Sequence, residues 1–170
     1  MRKERMNNKG FSLVELIIVI AIMAILIGIM APNLMRFIER ANVSADTQIA
    51  DTLRMALITA IADPMTNDNS GNKNAFITAA TGTTITLTDG LTQYSNAAAF
   101  KADVEQTLGD KNIANLLGEL KSTRGTAAFL IRIDGGNVIV TIQNTDRTGS
   151  RAFTNQANWI TVGSETALTP

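Results

Sequence analysis

The feature that most constrains this chain is a stretch without a single charge, residues 16–35, preceded directly by an acid, Glu15. Up to residue 31 only Gly28 interrupts its Leu, Ile, Val, Met and Ala. About 20 residues at a rise of roughly 1.5 Å each cross a hydrocarbon core of about 30 Å, so the stretch is long enough to span a bilayer as a helix. Three readings compete: a cleaved secretory signal, a plain signal anchor, or something more specific. A secretory signal ends its short apolar region in a small-residue cleavage site. Ile29-Met30-Ala31-Pro32 offers only a poor one.

Charge is distributed to match a membrane element. The 170 residues carry 15 bases and 15 acids. Arg2, Lys3, Arg5 and Lys9, against the one acid Glu4, precede Phe11, and everything after is net acidic. A basic leader before an apolar run keeps the N-terminus in the cytoplasm. The acidic remainder offers no basic surface on which nucleic acid could bind by counterion release. The sequence contains no Cys and no His. Disulfides, thiol nucleophiles and Cys/His metal sites are thereby excluded, and the commonest general base is missing.

Glu15 is the informative residue. A carboxylate at the edge of a membrane helix is costly, and neither a signal peptide nor a simple anchor needs one. No base between residues 10 and 35 can serve it within the helix. A cut after Gly10 would create an α-ammonium on Phe11, four residues before Glu15. In a parallel array of such helices, one subunit's ammonium meets its neighbour's carboxylate, a pairing that sets register more than it adds stability.

The junction Lys9-Gly10-Phe11-Ser12-Leu13-Val14-Glu15-Leu16-Ile17 resembles the class III leader of type IV pilins and of type II secretion pseudopilins. The resemblance covers roughly residues 9–35 and includes Pro32. It implies a membrane-embedded prepilin peptidase that cuts between Gly10 and Phe11 and methylates the new Phe11 nitrogen. It also implies Glu15 as the assembly carboxylate and an inner-membrane assembly platform as a partner. By physical reading, Pro32 lacks an N–H and crowds the carbonyl of Gly28, itself a weak helix former, so the two weaken one turn. That turn is expected to kink where the helix leaves the bilayer; the resemblance implies that it stretches on packing into a filament.

From residue 33 the pattern is amphipathic. Leu34, Phe37, Ile38, Ala41, Ala45, Ile49, Leu53, Ala56, Leu57 and Ile61 follow three- and four-residue steps, with Arg36, Glu39, Arg40, Asp46, Asp51 and Arg54 mostly on other faces. Ala62-Asp63-Pro64 ends the helix. Residues 63–74 read as a loop, 84–88 as a strand closed by Asp89-Gly90, 97–108 and 113–120 as helices, and 159–162 as a further strand. Residues 126–133 and 137–142 around Asp134-Gly135-Gly136 read as a hairpin. The expected fold is α+β: a long N-terminal helix packed on a small antiparallel meander, the arrangement pilins resemble. The expected organisation is a cleaved leader at 1–10, a membrane or filament-core helix at 11–35, its amphipathic continuation at 36–62 and a soluble head at 63–170.

Other sites read as ordinary surface or core. Asp63, Asn67, Asp68, Asn69, Asn72 and Gly71 could hold calcium, as loops of some pseudopilins do, but their spacing is not an EF-hand's and a solvated loop is the plainer reading. Asn42-Val43-Ser44 is a formal glycosylation sequon within a helix. Asp146, Arg147 and Arg151 read as a solvated turn, Tyr94 and Trp159 as packing residues, and Ser12 as a small tolerated residue, since no base accompanies it as a nucleophile. No cofactor or metal is expected, nor any enzymatic role. The leading expectation is a major pilin that polymerises with itself, first held in the cytoplasmic membrane and then extracellular. A major-type pseudopilin of a secretion or DNA-uptake machine is the alternative. A rival of another class is a signal-anchored monomeric surface protein that binds a ligand, and a membrane-anchored hydrolase lacks a nucleophile–base pair.

Overall fold

The structure, a computed structural model, describes residues 11–63, 72–87, 91, 98–109, 111–121, 127–144, 160–164 and 168. It forms two units, Met1–Ile38 and Glu39–Pro170. Helix α1, Leu13–Ala62, runs through both. It stops before Pro64, where the next residue's ring forbids continued helix. The remaining elements are α2 (Asn72–Ala80), β1 (Ile85–Leu87), α3 (Ala98–Thr107), α4 (Ile113–Glu119), β2 (Ala127–Asp134), β3 (Asn137–Asn144) and β4 (Ile160–Val162).

In the first unit, α1 is apolar all round and uncovered. Every described residue from 11 to 38 is exposed, and the large apolar ones from Phe11 to Ile38 have 50–94% of their surface accessible. The helix is long and apolar enough to cross a membrane, with a mean hydropathy of 3.0 over an 18-residue window. It continues unbroken through Gly28 and Pro32. A Cβ built on Gly28 would touch nothing within 4 Å.

In the second unit the four strands form one antiparallel sheet in the order β1-β2-β3-β4. The β2–β3 hairpin pairs Phe129 with Ile142, Ile131 with Val140 and Asp134 with Asn137. Gly135 (φ 55) and Gly136 (φ 83) supply the two left-handed residues that a two-residue turn of the favoured twist requires. Because side chains alternate across a strand, Phe129, Ile131, Ile133, Val138, Val140 and Ile142 share one face, joined there by Ile85, Leu87, Ile160 and Val162. The same core cluster takes in Leu53 and Leu57 of α1 with Phe76 and Phe100, whose rings lie 5.1 Å apart. The opposite face is also covered: Leu130 and Ile139 cluster with Leu168, whose N–H donates to Thr141 Oγ1 at 3.1 Å.

Arg54 fastens α1 to the hairpin end. Its Nε donates to the Val138 carbonyl and its Nη2 to Asn137 Oδ1, both at 2.8 Å, while Asn137 Nδ2 donates to the Gly163 carbonyl. Gly163 itself has φ +84, and a Cβ there would lie 2.5 Å from the Val138 oxygen and 2.7 Å from Arg54 Nε.

The fold is the expected α+β arrangement, with four corrections. First, α2 begins at Asn72, inside the segment read as a loop, and the sequence reading assigned no element to its later residues. Its apolar content is slight, but Phe76 and Ala80 are both buried, so tertiary contact stabilises a helix that periodicity does not announce. Second, the apolar stripe expected from residue 33 is not covered at its start: Leu34, Phe37, Ile38 and Ala41 are exposed. Third, Asp46, placed by its spacing on a polar face, is fully buried. Its Oδ1 accepts the Lys121 N–H at 2.9 Å, so the carboxylate holds the chain just past α4 against α1. Fourth, α1 starts two residues later than expected, for a reason local to Ser12 given below.

Candidate functional site

The chemistry predicted from sequence is concentrated around the start of α1. Phe11 and Ser12 are not helical, and Phe11 is 94% exposed. Gly10 and the rest of the leader lie outside the described residues. Ser12 Oγ accepts the Val14 N–H at 3.3 Å, and Glu15 Oε2 accepts the Ser12 N–H at 2.8 Å. Together they cap the helix start: Glu15, at the third helical position, reaches back to the Ser12 N–H as in a capping box, while Ser12 Oγ takes the N–H of the second helical residue, Val14. The cap fixes the first helical residue at Leu13. It also places the only acid of the first turn where the positive end of the helix dipole favours it.

Ser12 is therefore more than a small tolerated residue. Glu15, which no side-chain base of its own helix can reach, finds a partner in a backbone N–H instead. The signal was legible: Ser followed three residues later by Glu, just before an apolar run, is a helix-start signature. Phe11 stands immediately outside the cap, so the atom that would become the new amine is one residue from the N–H bound by Glu15. The capped carboxylate keeps its second oxygen, Oε1, for a further donor.

The helix weak point predicted at Gly28 and Pro32 lies in the exposed part of α1. Asn42 of the sequon is half-buried on α1. Of the loop proposed for calcium, Asn67, Asp68, Asn69 and Gly71 lie outside the described residues, as does the Asn72 side chain. The Asp63 carbonyl accepts from Lys73 Nζ at 2.7 Å. Among the described residues no cluster of three metal-ligating side chains occurs. Tyr94, Asp146, Arg147, Arg151 and Trp159 also lie outside them. A hollow of about 560 Å³ in the second unit is lined by Ala45, Gln48, Ile49, Thr52, Glu119 and Lys121 and brings together none of the predicted site residues.

Residues 5–31 match the family described as the prokaryotic N-terminal methylation motif. This span brackets Gly10, Phe11, the helix cap and most of the apolar stretch, so the N-terminal segment carries the methylation motif found at a pilin leader. The chain is similar to the Type IV wide pilus major component PilA4 of Thermus thermophilus, at 58% identity over 36 residues. That alignment takes in 21% of this chain and spans 28% of the length of the relative. No solved structure matches the chain significantly. The family match thus rests on the leader and the first part of α1.

Proposed function

We propose that this chain is the precursor of a structural subunit of a type IV pilus-like filament, a major pilin that polymerises with itself. The observation that carries the reading is the leader motif continuing into a helix whose apolar side chains are uncovered from Leu13 to Ile38. A surface of that size needs a bilayer, copies of itself, or both in turn. The basic leader holds the N-terminus in the cytoplasm, the uncharged stretch crosses the cytoplasmic membrane, and the head emerges outside. A prepilin peptidase cuts between Gly10 and Phe11 and the Phe11 nitrogen is methylated. The new ammonium of one subunit then meets Glu15 Oε1 of the next, while Oε2 stays on its own Ser12 N–H. Packing of α1 against α1 buries the residues the monomer leaves open, and the turn at Gly28 and Pro32 stretches as this happens.

The description of the relative as a major component of a wide pilus supports the major-subunit reading over the pseudopilin one. An assembly platform in the inner membrane is the further partner. The role is structural and not catalytic, in keeping with a sequence that lacks His and Cys.

Intact mass of material from the cell surface tests the processing: residues 1–10 are expected to be absent and one methyl group present on Phe11. A chain keeping its leader would sink the reading. Glu15→Val is expected to insert and to be cut normally but to form few filaments, counted by electron microscopy of sheared cell-surface material. Normal filament numbers would remove the carboxylate from assembly.

A further inference from the structure

Within the first unit, two charges bound the uncharged stretch, Glu15 at its start and Arg36 at its end. They are 21 residues apart on one continuous helix, about 32 Å at a rise of roughly 1.5 Å per residue. A hydrocarbon core is about 30 Å thick. With Glu15 at one boundary of the bilayer, Arg36 therefore reaches the other. Arg36 is exposed and makes no hydrogen bond or ion pair among the described residues. The acids nearest it along α1 are Glu39, one turn on and engaged in an interaction of its own, and Glu15, a full membrane thickness away. Its helix neighbours Met35 and Phe37 are 73% and 69% exposed. A cation with an apolar stem beside an aromatic ring is the arrangement that settles at a headgroup layer, stem in the oil and head in the polar zone.

We propose that Arg36 docks on the phosphates of outer-leaflet phospholipids and thereby fixes the depth at which α1 sits in the bilayer before assembly. The guanidinium fork matches two phosphate oxygens at once, and with Glu39 already engaged, lipid phosphate is the anion left at this depth of the membrane. Sliding α1 inward by one turn would drag Arg36 into hydrocarbon; sliding it outward would expose apolar turns to water. One consequence concerns Glu15. Held at the inner boundary, its capped carboxylate stays within reach of water in the precursor. Its dehydration then falls on the assembly step and not on insertion. The inference rests on the membrane-held precursor proposed above.

Because the sequence has no Cys, an introduced thiol is unique, and its reaction with a membrane-impermeant maleimide reports depth. The full-length, uncut chain is placed in sealed phosphatidylcholine vesicles, and each rate is divided by that of Ser44→Cys in the same preparation. Ile38→Cys is expected to react at a rate comparable with Ser44→Cys. Adding Arg36→Leu is expected to slow Ile38→Cys about fivefold as the helix settles inward, and Arg36→Lys to restore the rate only in part, since an ammonium cannot make the forked contact. An unchanged rate in the Arg36→Leu background overturns the docking. So does slowing that appears only when anionic phosphatidylglycerol is added, since the attraction is then to net surface charge and not to the phosphate of a phospholipid. Ile29→Cys serves as the control in the span: if it reacts as fast as Ser44→Cys, α1 is not in the bilayer and the membrane reading itself fails, a result separable from the failure of Arg36 alone.

Discussion

The two parts of α1 are made of the same geometry and much the same residues, yet they meet different fates. Leu26 and Leu53 are both leucines on one continuous helix; Leu26 is 53% exposed and Leu53 is fully buried. Hydrophobicity alone does not distinguish them. Around Leu26 every face is apolar, and no single partner within the unit can cover all faces of a helix at once. Around Leu53 the apolar positions narrow to a stripe of Ala50, Leu53, Ala56, Leu57 and Ala60, which one domain can cover. An all-round apolar helix awaits a surrounding medium, whereas a striped one awaits a neighbour. The cap makes the same point for polar groups: Ser12 and Glu15 find their partners within one turn, while Asp46 reaches Lys121, 75 residues away.

The sharpest way to break this comparison is a matched pair of leucine truncations, with unfolding of the head followed in urea on the full chain in detergent. Leu53→Ala is expected to destabilise the head by about 2–5 kcal/mol, since it removes buried methyls and leaves a cavity. Leu26→Ala should leave the same transition within about 0.5 kcal/mol. Equal effects would mean that the two parts are not the separate environments described. A smaller effect sharpens how the covered part is fastened. Gly163→Ala forces a side chain into a left-handed residue and against the Val138 oxygen and Arg54 Nε, and is expected to cost about 1–3 kcal/mol. A loss restricted to the β3–β4 end in hydrogen exchange would locate it at the Arg54 contact. The smallest effect belongs to Lys111→Ala, which removes a pair with Glu119 whose side chains are 47% and 44% exposed. The same urea transition should move by no more than about 0.5 kcal/mol.

Much of this was legible beforehand, for identifiable reasons. The end of α1 at Ala62 follows from Pro64, and the β2–β3 hairpin from two β-rich runs around Gly135 and Gly136. Helices α3 and α4 fall within the spans 97–108 and 113–120 that read as helical, where Phe100, Val104, Leu108, Ile113 and Leu116 are buried. The candidate processing and assembly residues could be named because their chemistry is sequential: Gly10, Phe11 and Glu15 lie within six residues. At α2 and at Asp46 the reading failed because the partner was remote. Nothing near Asn72 announces α2, whose Phe76 is buried in the same core as Phe100 and whose residue after the last turn, Thr81, bridges to Ile133. Nothing near Asp46 announces that it is buried.

The membrane-length helix, the leader junction and the capped acid follow from the order of residues, because they depend on composition and on neighbours within about one helical turn. Tertiary structure alone decided which part of α1 is covered, that a carboxylate sits in the core at Asp46, that a short weakly patterned segment becomes α2, and that both faces of the sheet are closed. Those outcomes depend on contacts between residues far apart in the chain, and a pattern of near neighbours carries no record of them.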